Sequence, residues 1–381
     1  MKQTIAKTAL AVAAGLAASA CSSRQGYTLS GEVPEVWEGK SVVLYAVDAG
    51  EAEPLDSAVI ANGRFRMQGE LETPRRCRGV IYLDPNDHSS RGTQVTFEVL
   101  LDSTEVSARC EASPKGQRFI FSGGASQQAL QAFRQELEPQ SGEYDKLFDQ
   151  YVETFYHRAN RQAGIDLARR LSQIDSQILA RKLDYVRSHP RSGVSLQLFG
   201  EVLGSHAAPS RDSLAGLFAT IDPRLRASAA GQYLEERLRS KKMIGGELLP
   251  DLEVVDAQGS KHRLRELLHS QGCTLVEVWA SWCSPCRDDI PYLREAYAQY
   301  HSKGFDIIGI SVDKHHEAWT GALEEEKMPW RQFNDAQRES FKAFETGSVP
   351  TSILVDGQGR IVRLDARGGW LGADLETMFD K

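Results

Sequence analysis

The sequence predicts three parts in series: an N-terminal β sandwich or barrel-like domain, a helical middle region and a C-terminal α/β domain. Three patterns carry this reading. Residues 26–122 hold short strand-like runs separated by turn residues, the spacing of a small sandwich or barrel. Residues 125–240 change to a helical period. Residues 245–381 alternate strand-like and helix-like segments, which describes a sheet covered by helices.

In the first part the strand-like runs are 27–33, 41–47, 57–60, 64–69, 79–83 and 95–100. Asn62-Gly63 lies between two of them and predicts a hairpin, since both residues tolerate positive φ. In the second part Leu130, Phe133 and Leu137 recur at helical spacing. Leu167, Leu171, Ile174, Ile178, Leu179, Leu183 and Val186 do so more cleanly, predicting a helix with one apolar face packed on other helices. A weaker helical pattern covers 213–238, and His206 in the loop 204–210 reads as a surface residue. In the third part, 245–250 reads as linker and domain start. Runs 275–280 and 305–312 are strands, the second nearly continuously apolar as a central strand is. Helices are expected at 290–300, 317–326 and 371–379, and a hairpin at 351–355 and 360–364 around Asp356-Gly357-Gln358-Gly359.

Composition excludes several classes. At about 150 residues per domain, 381 residues make two or three domains. The chain is 41% apolar and 25% charged, as soluble globular chains are. With 32 glycines and 14 prolines it is not collagenous. Lys plus Arg is 45 against 52 for Asp plus Glu, a formal charge of −7. That gives no electrostatic ground for a nucleic-acid partner.

Residues 1–20 read as a signal peptide: Lys2 and Lys7, an apolar stretch from 9 to 18, then Ser19-Ala20-Cys21. The stretch is shorter than the ~20 residues that span a bilayer. Ala18-Ser19-Ala20-Cys21 resembles a bacterial lipoprotein cleavage box, with alanine where leucine is usual. The resemblance implies that Cys21 becomes the lipid-modified first residue, anchoring the protein by buried methylenes. Soluble secretion is the alternative. Cleavage takes the formal charge to −9. Ser22 resembles the residue type that permits outer-membrane sorting.

The chemistry is concentrated in Cys283-Ser284-Pro285-Cys286, directly after the strand that ends at Ala280. Two thiols at this spacing close a small disulfide if the segment turns into a helix. At a helix N-terminus, free N–H groups and the dipole stabilise a thiolate, raising the nucleophile fraction of Cys283. Attack on a partner disulfide gives a mixed disulfide, which Cys286 then resolves. Pro285 suits an early helical position, where its missing N–H would have had no partner. Three other readings compete. Half a zinc site looks the same, with Cys273 and His269 the nearest further ligands. A c-type haem attachment needs histidine where Arg287 stands. A structural disulfide is the third.

Glu277-Val278-Trp279-Ala280-Ser281-Trp282-Cys283-Ser284-Pro285-Cys286 resembles the active-site region of thioredoxin-fold proteins, most of all the membrane-tethered periplasmic branch of TlpA and ResA types. Ser348-Val349-Pro350-Thr351 resembles the family's second signature. The resemblance covers 245–381 and implies a thioredoxin-like domain in which Pro350 is cis and packs on the cysteines. Val349, Pro350 and Thr351 would line a substrate groove with Trp282, Ser284 and Pro285. Glu277 stands where thioredoxins bury an aspartate behind the second cysteine. Apolar neighbours on both strand faces argue for burial, which raises a carboxyl pKa and lets Glu277 take the Cys286 proton. A solvated edge-strand residue is the bland alternative, and Trp279 reads as core. The segment 304–326 with Met328-Pro329-Trp330 resembles the family's central insertion; Glu324-Glu325-Glu326-Lys327, His315 and His316 read as surface. The runs 27–33, 41–45 and 62–69 resemble a small β domain that precedes thioredoxin domains in Bacteroidetes lipoproteins.

Of the remaining cysteines, Cys77 and Cys110 both lie in the β region and are candidates for a structural disulfide, leaving Cys273 as a buried thiol. The expected function is a periplasm-facing thiol-disulfide oxidoreductase with no cofactor beyond the Cys283–Cys286 disulfide. The family resemblance implies reduction of exported proteins' disulfides with electrons from a membrane-embedded thiol donor. An oxidase or isomerase would use the same cysteines. A lipid-anchored binding or scaffolding protein is the alternative from another class. Ser281 and Trp282 do not supply the threonine and arginine usual beside a peroxidatic thiol.

Overall fold

A computed structural model describes residues 25–84, 93–113 and 116–380. The expected signal peptide and Cys21 lie outside the described residues. The first part is a sandwich of two four-stranded sheets, not a closed barrel. Its strands are β1 (Gln25–Glu32), β2 (Ser41–Ala46), β3 (Glu53–Val59), β4 (Arg64–Leu71), β5 (Arg75–Tyr82), β6 (Gln94–Leu101), β7 (Glu105–Ser113) and β8 (Gly116–Gly123). The sheets run β4-β1-β7-β8 and β3-β2-β5-β6. Alternation along the strands sends Leu29, Leu44, Phe65, Met67, Ile81, Phe97 and Leu101 into the shared core.

The Asn62-Gly63 turn forms as its residues predict, with φ of 53° and 66° and paired backbone bonds between Ala61 and Arg64. The expected hairpin does not continue from it. β3 joins one sheet and β4 the other, so the turn passes the chain between layers. Period-two alternation shows that one strand face is buried but not which strand it pairs with.

The candidate Cys77–Cys110 disulfide is absent, and both thiols are free. Cys77 is on β5 and Cys110 on β7 of the facing sheet. The Phe97 and Phe119 rings meet across the sandwich 4.6 Å apart, with Phe119 directly opposite Cys110 in its own sheet. The Cys77 thiol donates instead to the Arg75 carbonyl oxygen at 3.6 Å.

The middle region is α1 (Ala125–Val152), α2 (Arg161–Ser188), α3 (Gly193–Gly204), α4 (Arg211–Thr220), α5 (Pro223–Ala227) and α6 (Ala229–Ser240). A short π-helix, Glu153–His157, follows α1. Asn160, Ser192, Ser210, Asp222 and Ser228 cap the next helices by accepting backbone N–H bonds. The region is divided between two cores. The N-terminal half of α1 and α3–α6 pack together with Leu100 of β6. Leu147, Tyr151, Phe155, Ile165, Ala168, Leu171 and Ile174 pack instead into the core of the last part.

That part has strands β9 (Glu253–Val255), β10 (Lys261–Arg263), β11 (Cys273–Trp279), β12 (Phe305–Ser311), β13 (Arg331–Asn334), β14 (Thr351–Asp356) and β15 (Ile361–Leu364). Its helices are α7 (Ser284–Tyr300), α8 (His316–Glu326), α9 (Glu339–Ala343) and α10 (Gly368–Phe379). The sheet order is β10-β9-β13-β12-β11-β14-β15. β11, β12 and β13 are parallel and β14 runs antiparallel to β11. The predicted linker is held on the sheet edge. Gly246 N–H donates to Ile361 O and Ile361 N–H to Glu247 O, both at 2.8 Å, which covers backbone groups that β15 would otherwise expose. Among the described residues no helix is long and apolar enough to cross a membrane.

Candidate active site

β11 is buried along its whole length and ends at Trp279, from which Ala280-Ser281-Trp282 lead into α7. Asp313, buried after β12, fixes this turn by accepting bonds from Ser281 N–H and Ser281 Oγ, each at 2.8 Å, and from Ser311 Oγ at 2.7 Å. Cys283 is the N-cap of α7, and its sulfur accepts a bond from Cys286 N–H at 3.2 Å. Pro285 occupies the first turn. Cys283 and Cys286 form a disulfide with Cα atoms 5.3 Å apart.

The residues expected around it sort into surface and floor. Trp282 is 61% exposed, and Ser284 and Pro285 are exposed beside it. Val349 and Pro350 are half-buried, and the peptide bond between them is cis. Val349 packs on the cluster that contains both cysteines. Thr351 turns back into its own loop, sharing a hydrogen bond with Thr346 Oγ1 at 3.0 Å and donating to Ser348 O at 2.9 Å. Its hydroxyl braces the proline loop. Both cysteine residues are themselves largely buried in the oxidised form.

Glu277 sits on an interior strand, between β12 and β14, and is only 6% exposed. The edge-strand reading therefore fails. Burial pushes its carboxyl up to about 8, opposed by the Ser352 hydroxyl, which donates to Glu277 Oε2. Asp289 and Asp365 add to the rise and Arg367 opposes it. Glu277 and Cys286 line one small cavity of about 10 Å³ together with Trp279, Ile290, Leu293, Met328, Trp330 and Gln332. It has room for about one water molecule. Trp279 is core, its Nε1–H donating to Gln332 Oε1 at 3.1 Å. A carboxyl protonated near neutrality thus lines the same small cavity as Cys286.

Three partners escaped the sequence reading. Ser352 lies 75 positions from Glu277. Asp289, one turn beyond Cys286, is buried and takes two bonds from Arg367, at 2.8 and 2.6 Å, across 78 positions. Burial raises the proton affinity of Asp289, and Arg367 counteracts it. Asp313, which fixes the turn before Cys283, is the third. A charge at helical spacing after the cysteines was the one available signal for Asp289, and nothing local names its partner.

Cys273 is a buried free thiol, pushed up to about 12 by burial, a value that leaves it unreactive at neutral pH. His206, His315 and His316 are exposed. Among the described residues no three His, Cys, Asp or Glu side chains cluster to hold a metal ion.

A family model described as the AhpC/TSA family matches residues 246–364, and one described as a domain of unknown function (DUF4369) matches residues 27–130. The chain is 30% identical over 167 residues to the thiol-disulfide oxidoreductase ResA of Bacillus cereus, spanning 43% of this chain and 95% of that protein. This chain belongs to the thioredoxin-fold thiol-disulfide oxidoreductases. Solved structures similar to it include the thioredoxin domain of a thiol-disulfide oxidoreductase from Bacteroides vulgatus, 30% identical, covering 35% of this chain and 98% of that one with a TM-score of 0.33. Another is a thiol:disulfide interchange protein from Bacteroides sp., 32% identical, covering 36% and 91% with a TM-score of 0.33. The oxidoreductase site is the Cys283–Cys286 disulfide at the head of α7, and its activity is thiol-disulfide exchange.

Proposed function

We propose that this oxidoreductase faces the bacterial periplasm, held to a membrane, the outer one, by lipid on Cys21, and reduces disulfides of exported proteins. The observation that carries the chemistry is the pairing of a helix-N-terminal Cys283 with a Cys286 that lines one small cavity with protonatable Glu277. In the reduced enzyme the Cys283 thiolate attacks a substrate disulfide. One substrate sulfur leaves as a thiolate and takes a proton, and a mixed disulfide remains on Cys283. The carboxylate fraction of Glu277 accepts the proton of Cys286, whose thiolate attacks the Cys283 sulfur and releases the second substrate sulfur, which takes a proton from solvent. Two electrons pass from the dithiol to the substrate, and the enzyme ends as the Cys283–Cys286 disulfide. A membrane-embedded dithiol donor restores the reduced form. The membrane-tethered branch that the active-site sequence resembles supports this direction.

A redox titration of the mature protein tests it, following Cys283–Cys286 by alkylation and mass with Cys283→Ser as control. A two-electron transition near thioredoxin's about −270 mV is expected for a reductase. A midpoint near about −120 mV would assign an oxidase or isomerase instead. A pair that does not cycle would leave a scaffolding protein.

A further inference from the structure

Pro285, between the two catalytic cysteines in the chain, lines a cleft far larger than the thiol chemistry needs. Its volume is about 1160 Å³, and it runs between the helical region and the thioredoxin-like domain. One wall is Val362 of β15 and Trp370 of α10, and Pro285 also lines the cleft. The other is Tyr144 and Phe148 of α1 and Leu179 of α2. Phe148 and Trp370 face each other with ring centroids 6.5 Å apart, and Tyr144 stacks on Phe148 at 6.2 Å. Phe148 is 40% exposed and Val362 42% exposed. Single exposed apolar side chains are ordinary. Two on opposite walls of one cleft that Pro285 also lines form an apolar binding surface.

We propose that this cleft is a polypeptide subsite, which takes an extended stretch of substrate chain and seats a large apolar or aromatic side chain next to the disulfide that Cys283 attacks. The proposal rests on the oxidoreductase reading, because that chemistry fixes the occupant. Whatever fills a cleft lined by Pro285 lies beside the segment that carries both cysteines. The volume exceeds the about 300–1,000 Å³ of small-molecule pockets, which favours a chain over a compact disulfide. The charges favour it too. Each lysine and arginine lining the cleft is already held by a carboxylate: Arg161 by Glu295, Lys182 by Glu201, Arg363 by Asp374 and Arg367 by Asp289. A small anionic disulfide such as that of glutathione finds no uncommitted lysine or arginine there. An extended chain binds through apolar contact and needs none. The helical region thereby gains a role, since it builds the wall that a thioredoxin-like domain alone lacks.

The test uses the mature full chain, pre-reduced, in single turnovers against two linear peptides. Each peptide carries one cysteine joined to thionitrobenzoate, flanked by phenylalanine in one and by glycine in the other. The small disulfide dithiobis-nitrobenzoate is the third substrate. Each turnover breaks one substrate S–S bond, closes Cys283–Cys286 and releases two thiols, with thionitrobenzoate as the readout. The wild type is expected to prefer the phenylalanine peptide about tenfold in kcat/KM, or about 1.4 kcal/mol. Phe148→Ala and Val362→Ser, from opposite walls, are each expected to erase that preference and leave the small-disulfide rate unchanged. Absence of a preference in the wild type overturns the proposal. So does its survival in both variants, or an equal slowing of all three substrates. A wild type that releases nothing from the small disulfide fails the oxidoreductase reading instead.

Discussion

Glu277 shows how one buried carboxyl sets both a rate and a stability. Its folded-state value of about 8 lies above the 4.5 of a free glutamate, with burial the largest cause. Between those values the folded protein keeps a proton that the unfolded chain has lost. This group's contribution to stability therefore falls as pH rises from 4.5 towards 8 and levels off above it. Glu277→Gln has no such proton. It is expected to gain on the wild type through that window, by up to about 3 kcal/mol at pH 7 at 1.36 kcal/mol per pH unit, and to match it below pH 4.5. Urea unfolding at several pH values measures this, and parallel pH profiles would refute the assignment. The same variant is expected to slow Cys286 attack on a mixed disulfide about 100-fold, the lower end for general base catalysis, while the Cys283 step keeps its rate. Position and burial of Glu277 were legible in the sequence, because apolar residues alternate with it on both strand faces. The partners that tune it were not, since Ser352 and Arg367 reach it only through tertiary folding.

The β11–α7 turn shows the same division for elements. A strand, two cysteines and a proline in the first turn specify a helix start locally, and the helix begins at Ser284. What holds the turn is remote: Asp313 takes three hydrogen bonds from Ser281 and Ser311. Asp313→Ala leaves those buried donors without an acceptor and is expected to cost about 3 kcal/mol. It also frees the turn that aims the α7 N-terminus, so alkylation of reduced Cys283 at neutral pH is expected to slow. Denaturant unfolding and a timed alkylation check both, and unchanged values in both would remove Asp313 from the site's scaffold. The short strands β9, β10 and β13 escaped the sequence reading for a related reason. Runs of three or four residues carry too little periodicity to register, and their pairing within the sheet is what defines them.

The three parts seen in the sequence are not three independent cores. The C-terminal half of α1 and the first half of α2 share one buried cluster with α7, α10, β11 and β12. Composition could mark where the period changes but not which helix face meets which neighbour. The contact is made close by small residues. A Cβ on Gly369 would lie 2.9 Å from Gly164 O, and one on Gly372 would lie 2.6 Å from both Ile165 Cδ1 and the Tyr292 hydroxyl. A leucine at Gly372 cannot be housed without moving α2 away from α10, because packed interiors hold few voids that could take it. Gly372→Leu is therefore expected to cost about 3 kcal/mol or more and to act on both parts together. Hydrogen exchange followed by mass in the full chain reads this directly. Peptides from the first half of α2 and from α10 should lose protection in step, while those from α4–α6, which pack in the other core, keep theirs. Loss confined to α10 would mean that α2 is held elsewhere and that the helical region folds apart from the redox domain. Coordinated loss would tie the wall of the cleft to the stability of the site it serves.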